Sequence, residues 1–303
     1  MTRPEPRREG EGSRGNHGFP RAESQSPRVF RRSSPSQSDA LPTERLYPQA
    51  HTRLVSSVLY VGHSTILVEL DGVRLLTDPL LRRRVGHLLR RSPIDLRSVE
   101  RLDAILISHA HRDHLDLPSL RLLDRGVTAV VPRGLGRLLR GLGFERVVET
   151  SSGESLSFGP VEVRTTHAEH DDRRPFGFAR GPAVGYAISG TSRIYFAGDT
   201  ALFQRMEGLV QDLDLALVPI WGWGPTLGRG EHLDPASAAQ ALRLLRPRMA
   251  VPIHWGTYRP LHHGLRREPA FLSEPSEAFV REAASAAPEV EVRILKPGER
   301  LDF

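Results

Sequence analysis

From Ser57 onward the chain alternates between short runs of apolar and β-branched residues and a few helical segments, with turn residues between them. Two of the early runs are joined by Asp71-Gly72, a dipeptide typical of β-hairpins. The runs that predict strands are Val58–Tyr60, Thr65–Leu70, Val73–Thr77, Ala104–Ile107, Thr128–Val131, Val161–Thr165, Ala183–Ser189, Arg193–Ala197, Leu215–Val218, Met249–Ile253 and Val290–Leu295. The chain is therefore expected to build its core on β-sheets.

Four segments between these runs predict helices: Pro118–Arg125, Leu135–Leu142, Pro235–Leu245 and Glu274–Ala286. The first is expected to stop at Gly126. The third starts well, because Asp234 suits the N-cap and Pro235 the first helical position. Strand meanders mixed with strand–helix units predict an α/β protein in which sheets pack on each other under outer helical layers.

Residues 1–50 differ from the rest, because Arg, Pro, Ser, Glu and Gly dominate them and no periodic apolar pattern is present. Such a segment cannot bury enough surface to offset its ordering entropy, so we expect a disordered tail followed by a hydrolase domain over 51–303. A misassigned start codon is the alternative explanation. No apolar run approaches the roughly 20 residues of a transmembrane helix. The charged start also lacks the apolar segment of a secretion signal, and we expect a cytoplasmic protein.

Composition limits the chemistry that is open to the chain. With no cysteine, disulfides, thiolate nucleophiles and Cys-type zinc sites are excluded, and His and carboxylates remain as strong metal ligands. The net charge of +6 would suit nucleic acid. However, Lys296 is the only lysine, the arginines are scattered, and they are not interleaved with the aromatic residues of a stacking platform. We therefore expect no nucleic-acid partner.

A dense group of chemically active side chains follows the apolar run Ala104–Ile107. His109, His111, Asp113 and His114 lie within one short segment. Alternate residues of an extended segment point the same way, so His109 and His111 are placed to hold one ion. Asp113 and His114, where the chain bends away, can then reach a second ion. The alternative is a solvated polar loop that happens to be rich in histidine.

A catalytic metal site needs more ligands than one loop supplies, together with an open position for water. Three candidates follow predicted strands farther along the chain: His170, Asp199 and His254. Strand ends are favourable places, because the loops there gather functional groups. Taken singly, His254 also suits a core histidine and Asp199 a turn or cap residue.

The order of these motifs resembles that of the metallo-β-lactamase superfamily. Within it, the branch that holds N-acyl-phosphatidylethanolamine-hydrolysing phospholipase D and the ascorbate-phosphate lactonase is the most similar. The resemblance covers about residues 57–300 and implies an αββα four-layer sandwich with a binuclear metal site at one edge. The segments that carry it are Gly62–Thr65, Leu76–Pro79, His109–His114, Gly198–Thr200 and Pro252–Thr257.

The resemblance also implies how the ligands divide between two ions. The first ion takes His109, His111 and a later histidine, the second takes Asp113, His114 and His254, and Asp199 bridges them. Both His167 and His170 follow the same predicted strand. The family's spacing over Thr166–His170 selects His170, which leaves His167 at a position that is proline in the family.

Three further residues resemble positions around the family's site. Asp78 resembles a carboxylate that supports the histidine loop without binding metal, although it also suits a turn before Pro79. His63 and His232 resemble positions near the active site, and we favour His232 as the contact to substrate or leaving group. The arginine-rich stretch Leu81–Arg91 either grips a phosphate or forms a solvated face.

Together these features predict a metal-dependent hydrolase. Two divalent ions, zinc or alternatively Mn²⁺ or Fe²⁺, lower the pKa of a bridging water, and the resulting hydroxide attacks phosphorus or a carbonyl carbon. Asp113 is expected to orient the nucleophile and to pass a proton to the leaving group. The expected substrate is a phosphodiester, small or phospholipid-like, with the paired tryptophans of 220–225 either lining an acyl pocket or packing internally. Alternatives are a lactonase or carboxylic-ester hydrolase, and a non-catalytic metal-stabilised binding protein.

Overall fold

Two seven-stranded sheets form the centre of the computed structural model, which describes residues 55–171, 181–221, 231–261 and 270–303. The first sheet has the order β17-β1-β2-β3-β6-β7-β8. Its strands are β1 (Ser57–Gly62), β2 (Thr65–Leu70), β3 (Val73–Thr77), β6 (Ala104–Leu106), β7 (Thr128–Pro132), β8 (Arg146–Thr150) and β17 (Arg300–Asp302). The prediction for residues 1–50 lies outside the described part of the chain.

The second sheet has the order β16-β14-β13-β12-β11-β10-β9. Its strands are β9 (Ser155–Phe158), β10 (Val161–His167), β11 (Val184–Ser189), β12 (Arg193–Phe196), β13 (Leu215–Pro219), β14 (Met249–Ile253) and β16 (Glu291–Val292). A separate three-stranded sheet, which we call the small sheet, consists of β4 (Arg84–Val85), β5 (Leu88–Arg90) and β15 (Tyr258–Pro260).

The two large sheets pack face to face, and helices cover their outer faces. Alternation along β2 shows why: Ile66 and Val68 enter the core between the sheets, whereas Leu67 faces the outer core beneath the helices. On the first sheet that layer contains α1 (Leu117–Leu120) and α2 (Gly136–Gly141); on the second it contains α3 (Pro235–Leu245) and α4 (Glu274–Ala286). The expected four-layer αββα sandwich of the α/β class is confirmed.

The first helix is shorter than the sequence predicted. It ends at Leu120 rather than Arg125, and the following residues form turns in which Leu122 and Leu123 donate to carbonyls three residues back. The Arg125 guanidinium donates to the carbonyls of Leu120 and Leu123 and so satisfies groups that a longer helix would have paired internally. The last predicted strand is also shorter than expected. Of Val290–Leu295, only Glu291–Val292 form a strand, which pairs with β14 at the edge of the second sheet.

The start of α3 provides a test of the local structure. Asp234 is the N-cap, its carboxylate accepts the Ser237 N–H at 2.8 Å, and the Ser237 hydroxyl accepts the Asp234 N–H at 2.8 Å. We expect Asp234→Ala to lower the free energy of unfolding by about 1 kcal/mol, because it removes the carboxylate that accepts the Ser237 N–H and hydroxyl. Urea denaturation checks this, with exposed Arg243→Ala in the same helix as the control; equal midpoints for the two variants would contradict the assignment.

Candidate metal centre

Six strands carry site residues, three in each large sheet; within a sheet these strands run in one direction, and the residues that follow their C-terminal ends meet at one edge of the sandwich. β3 and β6 pair in parallel, and β1 shares their direction because it is antiparallel to β2. In the second sheet β12 and β14 run parallel to β13, and β10 follows the same direction. Their C-terminal ends are followed by His63, Asp78, the segment His109–His114, His170, Asp199 and His254.

One group of donor atoms gathers around His111. The Nε2 atom of His109 lies 2.8 Å from Nδ1 of His111, and Nε2 of His170 lies 3.0 Å from the same atom. Asp199 completes this group: its Oδ2 lies 4.0 Å from Nε2 of His109, and one ligand atom of each of the four residues falls within 4.8 Å of the others. The structure thus brings together the residues that were predicted for the first ion.

A second group lies next to the first. His114 and His254 face each other with 3.2 Å between their Nε2 atoms, and Oδ2 of Asp113 lies 3.6 Å from Nε2 of His254. Oδ2 of Asp199 is 3.2 Å from Nε2 of His114 and 3.4 Å from Nε2 of His254. The Asp199 carboxylate therefore stands between the two groups.

Hydrogen bonds to the other ring nitrogens determine which atoms face inward. Nδ1 of His114 lies 2.7 Å from an Asp78 carboxylate oxygen, and Nδ1 of His254 lies 2.5 Å from the Trp221 carbonyl. Nδ1 of His170 lies 2.9 Å from the Glu231 carbonyl. When these rings are neutral, as metal-binding histidines are, each Nδ1 carries the proton that these acceptors receive, and each Nε2 presents its lone pair to the centre.

Asp78 organises the start of the histidine segment. Its Oδ1 accepts the Ser108 N–H at 2.7 Å, and its Oδ2 accepts the Ser108 hydroxyl at 2.6 Å as well as the His114 ring. The Ser108 oxygen in turn lies 2.9 Å from Nδ1 of His109. This buried carboxylate thus orients one histidine of each group, the position that the resemblance implied for it.

The charge balance of the centre calls for cations. Burial by itself disfavours protonation of His114, but three nearby carboxylates outweigh it and raise its pKa well above the ordinary value; they belong to Asp199, Asp113 and Asp78. Burial raises the pKa of Asp199, yet His114 and His254 outweigh that effect and hold it well below its usual range. Oδ1 of Asp199 is buried with no hydrogen-bond partner among the described residues. Converging lone pairs and ionised carboxylates suit divalent metal ions.

His63 contacts the second donor group directly, whereas the sequence analysis placed it only near the active site. Its Nε2 is 3.0 Å from Oδ2 of Asp113, and its ring centroid is 3.9 Å from that of His254. Burial, together with the charge of His254, lowers the pKa of His63 to about 3. Its φ of 58° is left-handed, a strained conformation for a residue with a side chain, and it is held by the bond from its N–H to the Thr257 hydroxyl. The signal for this role was present in the Gly62–Thr65 motif.

His232 also reaches the centre, whereas His167 does not. Nε2 of His232 lies 3.2 Å from Oδ2 of Asp199, and its side chain keeps 15% of its surface exposed. The Leu233 N–H anchors this loop by donating to the Thr200 carbonyl at 2.9 Å. His167 is exposed and packs its ring at 5.1 Å from that of Phe203, outside both donor groups.

The arginine-rich stretch is folded into the small sheet rather than being a free loop. Arg82 pairs with Asp116 through two hydrogen bonds, and the buried Arg90 donates to the carbonyls of Val61 and Leu80. These two arginines therefore stabilise the fold, and their contacts do not favour the alternative in which this stretch binds a phosphate. Of the predicted tryptophan segment, residues 222–225 lie outside the described residues.

Comparison with known proteins identifies the class that this fold and site define. The model of the beta-lactamase superfamily domain matches residues 73–255, and the chain belongs to this superfamily, with the metallo-β-lactamase fold. A UPF0173 metal-dependent hydrolase of Methanopyrus kandleri is 32% identical over 249 residues, 80% of this chain and 97% of that protein. The protein is accordingly a metal-dependent hydrolase.

Two further comparisons show similarity to a curated relative and to a solved structure. The N-acyl-phosphatidylethanolamine-hydrolyzing phospholipase D 1 of Caenorhabditis elegans is 30% identical over 225 residues, 66% of this chain and 63% of that protein. The structure of Igni18, a metallo hydrolase from Ignicoccus hospitalis, aligns with a TM-score of 0.61 at 25% identity, covering 82% of this chain and 99% of Igni18.

Among the described residues, no helix combines the length and apolarity that a membrane crossing requires.

Proposed function

We propose that the protein hydrolyses phosphodiesters, small or phospholipid-like, at a pair of divalent metal ions. One ion would be held by His109, His111 and His170, and the other by Asp113, His114 and His254, with Asp199 between them. The observation that carries the proposal is the position of Asp199, whose Oδ2 is shared by two adjacent donor groups. Zinc suits these His and carboxylate ligands, with Mn²⁺ and Fe²⁺ as alternatives.

The phosphodiester class is favoured by the C. elegans relative, whose name assigns it to phospholipid hydrolysis. Bound divalent ions lower the pKa of water to about 7 and stabilise negative charge that develops on the substrate. Asp113 keeps a quarter of its side chain exposed while His63 holds it from behind. We assign to Asp113 the orientation of the attacking water and the relay of its proton to the leaving group.

Turnover of purified protein with its metal content measured tests the proposal. The panel consists of bis(4-nitrophenyl) phosphate, N-acyl-phosphatidylethanolamine, a γ-lactone and a 4-nitrophenyl carboxylic ester. We expect hydrolysis of the phosphodiesters and about two ions per chain. Hydrolysis of the lactone or carboxylic ester alone would assign the protein to that alternative class. Bound metal without turnover of any substrate would favour the non-catalytic binding protein.

His232 is proposed as the contact to the leaving group. It touches Asp199 and remains partly exposed at the edge of the centre. We expect His232→Gln to lower kcat on the phosphodiester about 100-fold, the lower range for loss of one group that stabilises charge in the transition state, while both ions stay bound. Steady-state kinetics and metal analysis check this, with exposed His167→Gln as the matched control. Loss of metal in His232→Gln would identify His232 as a ligand instead.

A further inference from the structure

A small cavity of about 210 Å³ opens directly beside the second donor group. Asp113 forms part of its wall, and so does the neighbouring Arg112. The remaining wall is formed by Leu80, Val85, Leu88 and Tyr258. The Tyr258 ring lies 6.3 Å from that of His63, which bonds to Asp113. The cavity therefore borders Asp113, the residue to which the proposed function assigns the attacking water.

The side of the cavity away from Arg112 and Asp113 is mostly apolar, and hydrogen bonds hold its aromatic residue in place. Leu80 and Tyr258 are buried, whereas Val85 and Leu88 are half-buried on the small sheet. The Tyr258 hydroxyl donates to the Arg82 carbonyl at 2.8 Å, and the Arg90 guanidinium lies against it at 3.3 Å. Because these bonds hold Tyr258 in place, the cavity exists before any ligand binds, as is usual for small-molecule sites.

We propose that this cavity is the specificity subsite for a short apolar substituent of the substrate, placed beside the anionic ester group. The assignment rests on the proposed function, since the ester itself would bind at the donor groups. At about 30 Å³ for a water-sized group, the cavity holds roughly seven such groups. A short alkyl chain or a small ring fills it, whereas a long acyl chain extends beyond it.

The small sheet offers a matched pair of positions for a test. Leu88 and Leu89 are consecutive in β5, so their side chains point to opposite faces. Leu88 lines the cavity at Asp113, and Leu89 lines a separate cavity with Arg83 and Leu261. Leu88→Trp fills the proposed subsite, Leu88→Ala enlarges it, and Leu89→Trp adds the same bulk on the opposite face.

Binding of n-alkylphosphonates from methyl to octyl, measured by calorimetry on the metal-containing protein, tests the subsite without requiring turnover. We expect the wild type to bind about fourfold more tightly for each added methylene until the cavity is full. Leu88→Trp should remove this dependence but keep methylphosphonate affinity, Leu88→Ala should move the plateau to longer chains, and Leu89→Trp should match the wild type.

The outcomes separate the subsite from the proposed function. Equal affinity for all chain lengths, an unchanged slope in Leu88→Trp, or no binding by the whole series overturns the subsite. A different outcome would leave the subsite standing and overturn only the proposed phosphodiester hydrolysis. In that outcome affinity depends on chain length, Leu88→Trp removes the dependence, and the protein does not hydrolyse bis(4-nitrophenyl) phosphate. If Leu88→Trp does not fold, the Leu88→Ala plateau decides: a plateau at the wild-type chain length contradicts the subsite.

Discussion

Asp199→Ala is expected to release bound metal and to reduce hydrolysis roughly a thousandfold or more. The Asp199 carboxylate is buried and lies between both donor groups, so its loss removes a carboxylate oxygen from each of them. Metal stabilisation of the transition state is worth several kcal/mol, and about 4 kcal/mol corresponds to a thousandfold in rate. Metal analysis after dialysis, followed by kinetics, measures both effects.

The control for Asp199→Ala is Asp302→Ala, which removes an exposed carboxylate from the edge strand β17. It should retain metal and turnover at wild-type values. His109→Ala should behave like Asp199→Ala, because it removes a ligand of the first group. Unchanged metal content in both His109→Ala and Asp199→Ala would contradict the assignment of the centre.

The second large effect is expected from a residue that would not touch the metal. In Asp78→Asn one side-chain oxygen becomes an NH₂ donor, which meets either the Ser108 N–H or the proton on Nδ1 of His114. His114 then relieves the conflict by carrying its proton on Nε2 and loses the inward lone pair. We expect metal affinity at the second group to fall by about 10- to 100-fold.

Competition with a chelator measures this loss, and Asp103→Asn is the matched control. Asp103 is also a buried carboxylate, located directly before β6, and it accepts the Arg74 N–H at 2.8 Å. Both substitutions are expected to lower stability, but only Asp78→Asn should weaken metal binding. Equal metal affinity in the two variants would reduce Asp78 to a purely structural role.

Much of the fold could be predicted because its signals are local. The predicted helices Pro235–Leu245 and Glu274–Ala286 have the same bounds in the structure, since a proline in the first turn marks each start and the Asp234 cap adds to the first. Several strands were missed where the pattern is mixed: β8 carries charged and half-buried residues, and the strands of the small sheet have two or three residues each. Pairing with distant segments stabilises such strands, so the local sequence alone does not predict them.

The sequence by itself determined the ligand types and their order, because the absence of cysteine left His and Asp, and strand ends placed them in loops. Only the tertiary structure decided which of these residues meet. It separated His170 from His167, placed His63 against Asp113, and brought Leu88 and Tyr258 together beside the same carboxylate. The physical reason is that such contacts join residues far apart in the chain, and they depend on how the two sheets and the small sheet pack.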